Sequence, residues 1–310
     1  MKVFVAGATG AIGRRLVPML VEAGHEVTGM TRSPEKVEGL RRLGAEPVVC
    51  DAFDADALRE AVAAAAPEVV VHELTSIPKV IDPRRVREQL ATNDRLRVEG
   101  TRNLVEAALA AAVRRIVAQS IAFAYAPGGE TVKTEADGLY LDAPAAWVST
   151  VRAIAELERL VTTAPGLEGL VLRYGFLYGP GTAYAKDGST AQLARKRQLP
   201  IVGRGTGVFS FVHVDDAARA TVLALDHGAP GIYNVVDDEP AQVAEWLPVY
   251  ARALGGGKPR RVPKAVARLV AGPYAVYLAT ELRGASNAKA KRELGWAPAR
   301  SSWRDDLAVP

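Results

Sequence analysis

The chain of 310 residues is poor in the side chains that build disulfide, metal and nucleic-acid sites. It carries one cysteine, Cys50, so no internal disulfide and no metal-ligand cluster is expected. Cys50 ends the apolar run Pro47-Val48-Val49 and reads as a small core side chain. Aromatic residues make up only 6% of the chain and the basic residues are dispersed, which leaves no stacking platform for a nucleic acid. The cluster Arg195-Lys196-Arg197 reads as a solvated helix face, and a net charge of +4 is mild. No long apolar run is uninterrupted: Val262 to Thr280 contains Lys264, Arg268 and Pro273 and falls short of a membrane span. The first strand begins at Lys2, leaving no room for a targeting segment, so a cytoplasmic protein is expected.

What the chain does have is a rhythm. Short β-branched runs at Val3–Ala6, Glu26–Met30, Pro47–Val49, Val69–His72 and Arg115–Ala118 alternate with alanine-rich helical stretches. Helices are expected at Ile12–Ala23, Pro34–Leu43, Ala55–Ala65 and through one long region from Arg84 to Ala112, with Ser33 and Asp54 as N-caps. Nearly all-apolar strands in βαβ alternation predict an α/β fold with a parallel sheet covered on both faces. After a Pro- and Gly-rich loop, a helix at Ala146–Thr162 and a strand at Gly169–Arg173 follow, and then the rhythm loosens. Phe209–Val212 and Ile232–Val235 read as strands, with helices at Val214–Asp226, Ala241–Ala253 and Lys264–Leu278. Residues 1–175 are therefore expected to form a dinucleotide-binding domain. Residues 176–310 would form a smaller substrate-binding lobe, the chain crossing back to the sheet near 205–235.

The sharpest local feature is Gly7-Ala8-Thr9-Gly10-Ala11-Ile12-Gly13, between the first strand and the first helix. Such a turn presents backbone N–H groups and a positive dipole end to a diphosphate. Gly7 takes the tight turn, Gly10 lets the backbone approach the pyrophosphate, and Gly13 lets helix and strand pack closely. The expected architecture is a Rossmann-type doubly wound sheet. The second strand ends Met30-Thr31-Arg32-Ser33 without a carboxylate, and Arg32, aided by Arg14, favours NADP(H) over NAD(H). Asp51, beside Ala52 at the end of the third strand, is a candidate acceptor for the adenine amino group.

Further motifs follow in order. They include Val70-Val71-His72-Glu73-Leu74, Gly100-Thr101-Arg102-Asn103-Leu104, Arg115-Ile116-Val117-Ala118-Gln119-Ser120 and Leu172-Arg173-Tyr174-Gly175. Tyr178-Gly179-Pro180-Gly181, Phe211-Val212-His213-Val214-Asp215-Asp216 and Lys291-Arg292-Glu293-Leu294-Gly295-Trp296 complete the series. In this succession the chain resembles the extended short-chain dehydrogenase/reductases, the superfamily of nucleotide-sugar epimerases and dehydratases, over almost its whole length. The resemblance implies a cofactor site that also takes in Thr9, Ala11, Ile12, Leu74, Thr75, Gln119, Tyr174 and Gly175, and a homodimer as the possible assembly. It also implies a strand-end Ser that holds the substrate oxygen, a position Ser120 matches. Finally it implies a Tyr-x-x-x-Lys helix in which the phenol moves the proton and the cation lowers its pKa.

Here the chain departs from the pattern. No Tyr-x-x-x-Lys occurs anywhere; the tyrosine position falls on Trp147 or Val148 and the lysine position on Val151 or Arg152. Arg152 is the candidate replacement for the lysine charge, and Tyr125, five residues after Ser120, the first candidate for the displaced acid. Phe123, Trp147, Phe176 and Tyr184 are expected to line a largely aromatic substrate pocket, with Arg204 available to an anionic group. His72 reads as a satisfied core histidine, and Asp215, after His213, as a helix cap. The expectation is an NADPH-dependent oxidoreductase that reduces a carbonyl or activated double bond of a small, partly apolar metabolite. An epimerase or dehydratase with retained cofactor, and a non-catalytic redox sensor, are the alternatives.

Overall fold

The computed structural model describes residues 1–307; the last three residues of the expected C-terminal lobe, 308–310, lie outside the described part. Seven strands form one parallel sheet: β1 (Lys2–Ala6), β2 (Glu26–Thr31), β3 (Glu46–Val49), β4 (Val69–His72), β5 (Arg115–Ile121), β6 (Glu168–Tyr174) and β7 (Gly231–Val235). Their spatial order is β7-β6-β5-β4-β1-β2-β3, so the chain reverses direction across the sheet between β1 and β4. That reversal opens a crevice at the carboxyl ends of the strands, where ligands of doubly wound sheets bind. This is the α/β, Rossmann-type fold that the rhythm predicts.

Both faces of the sheet are apolar because both are covered. On one face Val3, Val5, Val71, Leu170 and Leu172 pack under α1 (Gly13–Glu22) and a late helix, Val214–Ala224. On the other, Phe4, Ala6, Val70, Ile116, Ala118 and Val171 pack under Ala55–Ala65, Thr101–Ala110 and the helix Val148–Thr162. The helix Val148–Thr162 is α2 below. Asp54 caps its helix as expected, accepting from the Ala57 amide at 3.0 Å. Ser33 does not cap; its amide instead donates to Thr31 Oγ1, and Pro34 opens a single 3-10 turn. His213, not Asp215, caps Val214–Ala224, its Nδ1 accepting from the Asp215 amide.

The long helical region expected over 84–112 is broken. Short helices Val86–Gln89 and Ala91–Arg95 run into a π-helical turn, Leu96–Gly100, before regular helix resumes. The expected strand Phe209–Val212 is also divided at Ser210. Val208–Phe209 pairs antiparallel with Ala241–Gln242, whereas Phe211–His213 runs parallel to Phe176–Tyr178. Around these short strands a second core gathers the large rings: Trp147, Tyr178, Phe209, Phe211, Trp246, Tyr250, Tyr277 and Trp303. Among the described residues no helix is long and apolar enough to cross a membrane.

Candidate active site

The glycine turn is built as tightly as its spacing implies. Gly7 adopts φ +95°, and a Cβ there would lie 2.5 Å from the Glu73 carbonyl carbon. A Cβ on Gly13 would meet Gly7 O at 2.4 Å, so the start of α1 is pressed against the end of β1. No side chain caps α1 and no acid occupies its first turn, which leaves its amides to an anionic ligand. These are the features a dinucleotide diphosphate requires.

A cleft opens over this turn. Of the expected cofactor residues, Gly7, Thr9, Gly10, Arg32, Asp51, Ala52, Leu74 and Thr75 line it. Arg32 is exposed at its rim and Asp51 Oδ1 accepts from the Phe53 amide at 3.0 Å. The structure adds Ser33, Lys36, Phe53, Glu73, Ser76, Thr92 and Leu96 to the wall. Lys36 comes from the 3-10 turn after β2 and is the contact most open to sequence reasoning, being basic and one turn from Arg32. Cys50 also reaches the wall, its thiol pushed up to about 11 by burial.

Other expected residues stand behind the cleft. Ala11 packs beside the core and Ile12 is buried in it; Arg14 is exposed, its Nε 3.4 Å from Gly10 O. Gln119 donates to Leu74 O at 3.1 Å and thereby holds the cleft wall. Gly175 is packed against Ser210, with its amide on Val235 O. Tyr174 is buried, its hydroxyl 3.1 Å from Glu73 Oε1 and 2.6 Å from Thr221 Oγ1. Burial pushes the Glu73 carboxyl up to about 8, against the hydrogen bonds from Tyr174 and Thr221. His72 is a core histidine: Nδ1 accepts from the Leu74 amide, which leaves Nε2–H facing Thr101 Oγ1 at 2.8 Å. Burial, with Arg97 nearby, pushes it down to about 4, so the ring is neutral.

The expected pair Ser120 and Tyr125 is brought together, but away from the cleft. Register explains this: Ser120 pairs with Arg173, and Arg173 with Asn234, so the three form one row across β5, β6 and β7. Residues in such a row share a face, and this one faces α2. Ser120 Oγ donates to Glu158 Oε1 of α2 at 2.8 Å, and Arg173 grips both oxygens of Glu158 at 2.7 and 2.6 Å. Arg173 Nη1 also donates to Tyr125 Oη at 2.8 Å, and that hydroxyl donates to Asn234 Oδ1 at 2.7 Å. Burial works against the guanidinium, but Glu158 outweighs it and keeps Arg173 protonated; burial likewise raises the Tyr125 phenol. Both hydroxyls are thus hydrogen-bonded within the protein, Ser120 to Glu158 and Tyr125 to Asn234, in a network that leaves Asn234 Nδ2 without an acceptor.

Arg152 is exposed on α2, while Val151 is fully buried and Trp147 packs at a tilt against Tyr274 with ring centroids 4.9 Å apart. The buried cation near the start of this helix is Arg97, from the π-turn, through Asp94, which accepts from Thr150 Oγ1. Phe123, Phe176 and Tyr184 form a half-buried aromatic wall, Phe123 stacked on Phe176 at 4.1 Å. Trp147 sits in the ring core behind it, and Arg204 is exposed on a turn.

A seven-stranded parallel sheet with a glycine turn shaped for a diphosphate defines an NAD(P)-dependent oxidoreductase of the extended short-chain dehydrogenase/reductase type. The chain belongs to the NAD dependent epimerase/dehydratase family, whose model matches residues 3–235. It is 51% identical over 308 residues to a Streptomyces 3-diazoavenalumate denitrifying reductase, covering 99% of both chains. It is 27% identical to the 4-hydroxy-2-methyl-3-oxo-4-farnesyl-3,4-dihydroquinoline-1-oxide ketoreductase of Stigmatella aurantiaca, covering 96% of this chain and 92% of that one. In fold it is similar to the Thermotoga maritima UDP-glucose 4-epimerase, with a TM-score of 0.77 at 22% identity, covering 100% and 97% of the two chains. Reductases thus stand among its relatives, and the expected activity class holds.

Proposed function

We propose that the protein is an NADPH-dependent reductase that removes nitrogen from a diazo-substituted, partly apolar carboxylate in the cytoplasm. One observation carries the reading. The helix that offers a proton donor in the enzymes this chain resembles offers Trp147, Val148, Val151 and Arg152 instead, and the hydroxyls of Ser120 and Tyr125 are already committed. Reduction of a carbonyl builds negative charge on oxygen and calls for an acid to quench it. Reductive loss of nitrogen does not, when the diazo group reacts in its cationic diazonium form, having taken any proton it needs from solvent beforehand. The carbon gains a hydride, the carbon–nitrogen bond breaks, and its electron pair leaves with dinitrogen, so no proton enters the balance. The relative at 51% identity is named a denitrifying reductase of 3-diazoavenalumate, a reaction of this class.

The dinucleotide supplies the hydride when bound. The chain's own residues bind and orient. The Gly7–Gly13 turn receives the diphosphate, Arg32 and Lys36 a 2′-phosphate, and Asp51 the adenine amino group. Phe123, Phe176 and Tyr184 offer a flat apolar wall to the substrate.

Incubation with NADPH and 15N-labelled 3-diazoavenalumate tests the reading, with labelled dinitrogen followed by mass spectrometry. One dinitrogen per NADPH oxidised is expected, and negligible oxidation across a panel of ketones. Brisk ketone reduction with the diazo compound untouched would overturn it. Arg32→Ala is expected to weaken NADPH by about 10- to 100-fold and NADH little; equal losses would refute the phosphate assignment.

A further inference from the structure

Four lysine and arginine residues are buried among the described residues: Arg97, Arg115, Lys133 and Arg173. Three are hydrogen-bonded. Arg115 donates to Glu168 and to the carbonyls of Ala224 and His227, Lys133 to Gly128 O and Asp137, and Arg173 to Glu158 and Tyr125. Arg97 is the exception. Its side chain is 10% exposed, its buried Nη1 has no acceptor, and the nearest carboxylate oxygen, Asp94 Oδ1, is 3.6 Å away. That Asp94 oxygen is itself without a hydrogen bond. A buried guanidinium left in this state destabilises the free protein, and an anion within its reach would relieve that cost.

Its position fits that reading. Arg97 rides on the π-helical turn Leu96–Gly100, an irregularity common at functional sites. Its chain neighbour Leu96, and Thr92 before it, line the dinucleotide cleft. Asn93, four residues earlier, accepts from the amide of cleft residue Ser76 at 2.8 Å, while its Nδ2 is buried without an acceptor. Asp94 ties the cluster to the first turn of α2 by accepting from Thr150 Oγ1 at 2.9 Å. Two unfilled donors therefore lie four residues apart on one stretch of helix, each next in sequence to a residue that lines the cleft.

We propose that Arg97, with the Asn93 amide, is the anion anchor of the site and receives the carboxylate of the organic substrate. The anchor rests on the reductase reading only for the identity of that substrate. A planar guanidinium takes a carboxylate through two parallel hydrogen bonds, which fixes direction as well as position. Arg97 keeps its charge for this purpose, since burial brings it down only to about 10.

The test is calorimetric binding of avenalumate and of its methyl ester to the NADP+-loaded protein, for wild type, Arg97→Met and Arg97→Lys. The wild type is expected to prefer the acid, and Arg97→Met to lose about 10- to 100-fold in acid affinity with the ester unaffected. Arg97→Lys should recover part of the loss, and NADP+ affinity should not move. An acid and an ester that weaken together, a parallel fall in NADP+ affinity, or a wild type indifferent to the charge would overturn the anchor. Intact acid preference without any turnover of 3-diazoavenalumate would instead sink the reductase reading and leave the anchor standing.

Discussion

Two polar clusters lie against α2, one at Thr150 and one at Glu158, and they are organised in different ways. The one against β5, β6 and β7 is nearly closed: Ser120, Tyr125 and Arg173 spend their hydrogen bonds on one another, on Asn234 Oδ1 and on Glu158, and Asn234 Nδ2 is the one donor of the row left without an acceptor. The one beside the cleft is open: Arg97 Nη1 and Asn93 Nδ2 are buried donors without an acceptor. A closed network holds strands and helix in one arrangement but offers nothing to a ligand. An open one is a liability until a ligand completes it. The contrast separates residues that hold the sheet edge together from donors the fold leaves unfilled.

The largest test of the contrast is Arg173→Met. It leaves the Glu158 carboxylate buried without its partner and is expected to cost about 3–5 kcal/mol in urea denaturation. A loss under about 1 kcal/mol would mean that the closed network is not what it appears from its distances. Next comes pH. Glu73 holds a proton in the folded protein up to about 8, whereas unfolded it releases it near 4.5. The folded state therefore binds more protons between those values, and stability falls as pH rises through them. His72, lowered to about 4, acts in the opposite sense up to its ordinary 6.5, so the clean window is pH 6.5–8. There Glu73 and Asp237, which is also raised to about 8, should each contribute a loss of about 1 kcal/mol per pH unit, about 2 together. Glu73→Gln should halve that slope; an unchanged slope would assign it to Asp237 and leave Glu73 out.

Tyr125→Phe is a smaller change. It strands one donor on Arg173 and removes a donor from Asn234, and is expected to cost about 1–2 kcal/mol while turnover stays within about twofold. Abolished turnover at unchanged stability would return Tyr125 to the reaction. Smallest is Arg97→Met, whose melting temperature should hold or rise slightly, since a buried charge without hydrogen bonds is replaced by an apolar side chain of similar length. A collapse like that of Arg173→Met would erase the contrast.

The strands, the glycine turn and the cleft rim were open to reading because each rests on local chemistry. Gly7 needs its positive φ, and Arg32 follows directly from the end of β2. Ser120 was harder. Every second residue before it, Ala118 and Ile116, faces the same helix layer, so its direction follows from strand periodicity. Yet β5 is apolar on both faces, and that hides the alternation which would have given it away. Arg97 was invisible for another reason. Its burial depends on a π-turn that shifts the helix face by one residue, and the sequence around it reads as ordinary exposed helix. Arg152, the cation chosen along the chain, turns outward because Val151 and Trp147 claim the buried side.

The place of β7 in the sheet has a consequence for synthesis. It is the last of the seven strands to leave the ribosome, yet its Asn234 completes the row that β5 and β6 begin. Until roughly three-quarters of the chain has emerged, β6 has an unpaired flank able to bind a stray strand. A fragment cut at residue 175, sensible as it looks on paper, would be stranded at that stage and prone to clumping.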